Sequence, residues 1–223
     1  MSLIEIKNIK KNFIQGEITV EALRGINLEI ETGEFTAIVG PSGSGKTTLL
    51  NLIGALDKPT SGEVVIDSQH ISSLTKNELS DFRLYKIGFV FQAYNLIPVL
   101  TALENVEYTL MLQNISKQER KDRAMKLFEE MDMANLSHRF PRELSGGQQQ
   151  RVAVARALVT SPRVVLADEP TANLDSDTAH KLLDIMSSMG EKTHTTFLFS
   201  THDQKVMDRA KRLIKIRDGL IEK

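Results

Sequence analysis

The 223-residue chain contains no cysteine, which excludes disulfides, thiol nucleophiles and thiolate-bound metals and is compatible with a reducing compartment. It has no surplus of either charge: 28 basic residues stand against 29 acidic ones, so composition does not point to nucleic acid as a ligand. No apolar stretch approaches the roughly 18 residues that a membrane span needs, and membrane association is expected only through another polypeptide. The opening Met1-Ser2-Leu3-Ile4-Glu5-Ile6-Lys7 puts charges where a secretion signal needs an apolar core, so no such signal is expected. Repeats, low-complexity segments and long linkers are also missing. His70, His138, His180 and His194 lack metal-ligand spacing and read as surface or capping residues. What remains is an ordinary globular balance, 41% hydrophobic and 26% charged. The length suits one sizeable α/β domain, with room for an inserted subdomain.

Against this plain background one segment stands out. Gly40-Pro41-Ser42-Gly43-Ser44-Gly45-Lys46-Thr47 matches the phosphate-cradling P-loop: glycine, four residues, glycine, lysine and a hydroxyl. Its glycines allow successive backbone N–H groups to turn inward onto phosphate oxygens, and the helix that follows adds the partial positive charge of its N-terminus. Lys46 is then expected at the β- and γ-phosphates of a nucleoside triphosphate and the Thr47 hydroxyl on Mg2+, with Thr48 joining the binding set. The flanks agree, since Phe35-Thr36-Ala37-Ile38-Val39 reads as a buried strand and Thr48-Leu49-Leu50-Asn51-Leu52-Ile53 as a helix. No third glycine stands at Lys46 to Thr48, so the dinucleotide fingerprint fails.

Ahead of the P-loop, Leu3 to Lys7 and Ile26 to Ile30 alternate like half-buried antiparallel strands, and Val64-Val65-Ile66 is expected to join them. Thr75 with Glu78 reads as a capping box, and Ile87-Gly88-Phe89-Val90-Phe91 as a core strand ending at Gln92. Residues 93 to about 160 lack strand runs. There Thr101/Glu104, Ser116/Glu119 and Ser145/Gln148 each set a hydroxyl three residues before Glu or Gln, the sign of a helix start. Beyond them Arg163 to Asp168 returns to a buried strand, a helix from about Thr178 to Met189 crosses over, and Thr195 to Ser200 supplies another strand. Strand, helix, strand implies a parallel sheet with right-handed crossovers. The expected fold is α/β, a P-loop nucleotide hydrolase core with a mostly parallel sheet. An N-terminal antiparallel β subdomain and an inserted α-helical subdomain complete it. All of this makes one domain, 1–223, in which 1–92 and 161–223 form the core and 93–160 the insertion.

Val164-Val165-Leu166-Ala167-Asp168-Glu169 is an apolar strand ending in two carboxylates. On a strand neighbouring that of the P-loop, its end would face the same crevice as Lys46. Asp168 is then expected to hold Mg2+, and Glu169 to polarise the water that attacks the γ-phosphate. A third signal is Leu144-Ser145-Gly146-Gly147-Gln148. A capping box alone accounts for Ser145 and Gln148, but two glycines in a first helical turn cost stability and suggest bare N–H groups meeting a phosphate.

In this order and over essentially the whole length, the motifs resemble the nucleotide-binding subunit of an ATP-binding cassette transporter. The resemblance implies four further assignments: Phe13 stacks on adenine, Gln92 senses the γ-phosphate and Mg2+, Asp175 lies in the short loop Asn173-Leu174-Asp175, and His202 is a switch histidine on the γ-phosphate. Phe13 stands where relatives often carry tyrosine, and Ala172 where many have glycine. Gly88-Phe89-Val90-Phe91-Gln92, Asn95-Leu96-Ile97-Pro98, Thr101 to Val106 and Gln148-Gln149-Gln150 resemble most the lipoprotein-releasing and macrolide-export type.

The family also implies a head-to-tail homodimer, in which Ser145, Gly146 and Gly147 of one copy cover the ATP held by Lys46 and Thr47 of the other. It implies a separate inner-membrane permease met near Gln92 to Val106, and a place on the cytoplasmic face of that membrane. Two other readings are open. One is a cassette that signals mechanically through a membrane protein without moving a substrate, the other a soluble cassette acting on DNA ends or ribosomes. The second is disfavoured, because the chain shows neither a long coiled coil nor a second cassette.

Overall fold

The computed structural model describes residues 2–222. A long antiparallel hairpin, β1 (Ser2–Gln15) and β2 (Ile18–Glu31), leads into β3 (Phe35–Val39), and the P-loop connects β3 to α1 (Lys46–Ile53). β4 (Ser61–Ile66) and β5 (Gln69–His70) follow, then α2 (Lys76–Lys86) and β6 (Ile87–Val90). Three helices come next, α3 (Ala102–Leu112), α4 (Lys117–Glu130) and α5 (Gly146–Leu158). The chain closes with β7 (Val164–Asp168), α6 (Ser176–Thr193), β8 (Thr196–Thr201), the short α7 (Gln204–Met207), β9 (Arg212–Arg217) and β10 (Leu220–Ile221).

The strands form a four-stranded sheet in the order β2-β1-β4-β5 and a six-stranded sheet in the order β10-β9-β3-β8-β7-β6. The first is antiparallel, and Val64 to Ile66 join β1 as expected. The second is parallel from β9 to β6, with β10 turning back antiparallel on β9. One expectation is corrected here. The strand ending in Asp168 is not beside the P-loop strand, because β8 lies between them, pairing Val39 with Thr201 on one side and Asp168 with Ser200 on the other. The crossover through α6 returns the chain into that gap rather than to an edge.

All five residues of β3 are buried because both faces of the large sheet are covered. Phe35, Ala37 and Val39 pack with α3, α5 and α6, while Ile38 packs with α1 and the isoleucines of β1 and β2. The helix starts come from local chemistry. Thr75, Thr101 and Ser145 each accept the N–H of the Glu or Gln three residues on, whose side chain reaches back in a full capping box. Ser116 caps α4 through the N–H of Glu119. Such a cap is worth about 1 kcal/mol.

Candidate active site

The P-loop backbone is one that side chains would obstruct. Gly45, the N-cap of α1, has φ 107, and a Cβ there would stand 2.7 Å from the Ala22 carbonyl oxygen; at Gly40 it would stand 2.0 Å from that of Ile216. Lys46 is only 7% exposed and its ammonium donates to the carbonyls of Gly40 at 2.9 Å and Pro41 at 3.0 Å. A cation folded onto neutral carbonyls can exchange them for phosphate oxygens, which bind it more strongly. Within the same loop the buried Ser44 hydroxyl has no hydrogen-bond partner among the described residues.

Opposite α1 the strand ends converge. The Thr47 hydroxyl lies 3.0 and 3.1 Å from the two Asp168 carboxylate oxygens, and Asp168 Oδ1 also accepts from the Ser200 hydroxyl at 2.6 Å. A hydroxyl and a carboxylate brought together are hard oxygen donors of the kind that hold Mg2+ alongside substrate phosphates. Among the described residues no cluster of three or more acidic or histidine side chains forms a self-sufficient metal site, which fits a cation whose remaining ligands come from a triphosphate and water. Thr47 and Asp168 would hold it there, where it supplies charge neutralisation to the phosphates.

Glu169 follows at φ 47, a left-handed conformation that costs a non-glycine residue about 1 kcal/mol. Its side chain is 16% exposed and one oxygen lies 2.9 Å from His202 Nδ1. Because a carboxylate only accepts, Nδ1 carries the proton of that bond. Lys46, Thr47, Asp168, Glu169 and His202 thus come from three strand ends to one edge of the sheet.

The remaining residues stand apart from this cluster. Ser145 caps α5, its N–H bonded to the Gln148 side chain at 2.9 Å. The bareness of the two glycines has an explanation within the chain: a Cβ on Gly147 would stand 2.3 Å from the Thr178 methyl, and one on Gly146 2.8 Å from the Tyr94 hydroxyl. Side-chain packing within the chain thus also favours glycine here, and the glycines alone do not argue for a phosphate. Asp175 is the N-cap of α6, accepting from the Thr178 N–H at 3.0 Å. Hydrogen bonds from the Thr178 side chain and then from this N–H hold its carboxyl below the ordinary range. Phe13 is exposed on the β1–β2 hairpin opposite Val20, with the Lys11 ammonium 4.9 Å from its ring centre. Gln92 is exposed after β6, and its carbonyl accepts from the Asn173 side chain at 3.0 Å.

Two residues of α5 tie the helix to distant segments, Gln150 and Arg156, the second expected from the sequence, with Arg151, to serve this helix structurally. The wholly buried Gln150 amide donates to the Pro170 carbonyl at 2.8 Å and lies 3.5 Å from that of Phe91. Arg156 donates to the carbonyls of Tyr94 and Asn95, both in left-handed conformation, and its burial pushes its pKa down. The helix that opens on Ser145 is therefore bonded to the segments flanking both Gln92 and Glu169. The run of three glutamines was a visible signal, but nothing in it told which one faces inward.

A family model described as ABC transporter matches residues 23–172. The chain belongs to that family. It is 47% identical over 225 residues to the uncharacterized ABC transporter ATP-binding protein MJ0796 of Methanocaldococcus jannaschii, an alignment that covers 99% of this chain and 96% of the relative. It is 48% identical over 219 residues to the macrolide export ATP-binding/permease protein MacB of Hyphomonas neptunium, covering 98% of this chain but 34% of that protein. A dimeric structure of a post-hydrolysis state of the MJ0796 cassette bound to ADP and Pi superimposes with TM-score 0.91 at 46% identity, covering 99% of this chain and 97% of that one. The cassette is an ATPase of the ABC type. Among its described residues no helix is long and apolar enough to cross a membrane.

Proposed function

We propose that the cassette is the ATP-hydrolysing subunit of an export or lipoprotein-release transporter, working as a homodimer beneath a separate permease on the cytoplasmic face of the inner membrane. The observation that carries the hydrolytic part is the convergence of Thr47, Asp168, Glu169 and His202 beside the P-loop. Lys46 exchanges the carbonyls of Gly40 and Pro41 for oxygens of the β- and γ-phosphates. Glu169 accepts a hydrogen bond from the attacking water, whose oxygen bonds to the γ-phosphorus as the bond to the β–γ bridging oxygen breaks. His202, held through Nδ1 by Glu169, donates from Nε2 to a γ-phosphate oxygen when its ring carries both protons.

One chain leaves the outer side of that phosphate open. In the dimer Ser145, Gly146 and Gly147 of the second copy cover it, Asp175 lies beside them, Phe13 stacks on adenine and Gln92 senses the γ-phosphate. Support comes from the MJ0796 cassette, solved as a dimer. A permease partner is supported by the MacB relatives, which carry permease and cassette in one protein. It is further supported by a groove of about 360 Å3 beside the Gln92 segment, whose lining includes Leu56, Phe89, Phe91, Asn95, Arg83 and Arg156. Residues 93–160 would move as one piece when that groove is filled, carrying α5 with them.

Purification from membranes with identification of the bound partner tests this directly. A co-purifying multispan permease with an extracytoplasmic domain is the expected result. A cell-wall hydrolase machinery as the only partner would replace transport by mechanical signalling, and purification free of membranes would contradict both.

A further inference from the structure

Ser200 is a serine within the apolar run of β8, without accessible surface, on the strand inserted between those that carry the P-loop and Asp168. Its hydroxyl is engaged twice: it donates to Asp168 Oδ1 at 2.6 Å and accepts the backbone N–H of Glu169 at 2.9 Å. Since a hydroxyl has one proton and a carboxylate only accepts, both directions are settled.

Each bond has a separate consequence. The two Asp168 oxygens are interchangeable by rotation of the carboxylate, and Thr47 hardly distinguishes them, at 3.0 and 3.1 Å. Ser200 bonds only Oδ1, which fixes the plane of the group and leaves Oδ2 the less engaged oxygen. Glu169, at φ 47, keeps a sparsely populated conformation only if its surroundings over-determine it. The Ser200 bond fixes its backbone at the point where its side chain reaches His202.

We propose that Ser200 is a positioning residue of the hydrolytic centre, whose single hydroxyl orients the Asp168 carboxylate for Mg2+ and holds the Glu169 backbone for attack on the γ-phosphate. This rests on the reading of Thr47 and Asp168 as the residues that hold Mg2+. A serine that merely satisfied itself inside a sheet would bond a nearby backbone carbonyl; this one joins the side chain of one reacting-site residue to the main chain of the next.

Valine and threonine have nearly the same volume and differ in the hydroxyl, so Ser200→Val and Ser200→Thr separate the bond from the packing. Nucleotide affinity is measured by calorimetry with Mg2+ and with EDTA. Ser200→Thr is expected to keep the gain that Mg2+ gives within about twofold. Ser200→Val is expected to lose about tenfold of it, the low end of what partners behind a metal ligand contribute, with affinity in EDTA unchanged. Turnover should also fall in Ser200→Val, and KM for the Mg2+ nucleotide should rise in step with the lost affinity. Equal Mg2+ gains in the two variants would overturn the proposal. Should either fail to fold by circular dichroism, Ser200→Ala against the parent protein reads the same loss, and an undiminished gain in it would again overturn it. A parent protein without any Mg2+ gain would instead sink the Thr47–Asp168 reading itself.

Discussion

Two helix starts in this cassette open on glycine, and they differ in what stands opposite them. α1 begins at the P-loop and faces Asp168, bonded to Thr47 and Ser200, and Glu169, bonded to His202, all of its own chain. α5 begins at Ser145 and faces Tyr94, Leu174 and Thr178, which offer no acid, base or metal ligand. One start belongs to a site assembled within the chain, the other to a cap that has nothing here to act upon. The proposed homodimer would account for the difference: hydrolytic groups are held ready, while completion of the site is left to association.

Variants can break this contrast from either side. Glu169→Gln should leave ATP binding intact and lower turnover about a thousandfold, within the range for removing a positioned base, and ATP-bound dimer should accumulate on a sizing column; unchanged hydrolysis would take Glu169 out of its role. Ser145→Arg, on the other helix start, should leave ATP affinity of the monomer unchanged while removing the dimer and with it nearly all turnover. A dimer that persists in that variant would mean α5 is not the cap. Lys46→Ala acts earlier and should weaken ATP binding roughly 10–100-fold, the scale of one or two hydrogen bonds to charged groups, read by calorimetry. Phe13→Ala should cost ATP a few-fold to about tenfold in affinity, as loss of one base-stacking contact does, and leave tripolyphosphate affinity alone. The smallest effect is on folding. Asp175→Ala should lower the melting temperature slightly at neutral pH. The Thr178 bonds depress the folded pKa of this carboxyl, so their stabilisation is present above its ordinary value and lost as pH falls through the depressed one; the two melting curves should converge in acid.

Much of this was legible because it is local. Thr75, Thr101, Ser116 and Ser145 announce helices by a hydroxyl and an acid or amide three residues apart, and all four are caps. The P-loop strand and the strand ending in Asp168 are continuous apolar runs because both faces are buried. What was not legible depends on order across the sheet. Nothing in Thr196 to Thr201 says that this strand enters between the other two, so Ser200 gave no sign of touching Asp168. β9 was overlooked although Ile214 and Ile216 alternate with exposed neighbours, a weak period in a strand of six. Gln150 and Arg156 act through carbonyls distant in sequence, which no local pattern encodes.

The absence of cysteine makes one measurement clean. Ser42→Cys in the P-loop and Ser145→Cys at the cap, combined with Glu169→Gln to prevent turnover, put two thiols on either side of one γ-phosphate if the copies exchange their helix starts. With a short bismaleimide, which reaches around the phosphate that a direct disulfide could not span, the account predicts a covalent dimer that forms with ATP and Mg2+ and not without them. A chain that stays monomeric on a non-reducing gel with ATP present would contradict it.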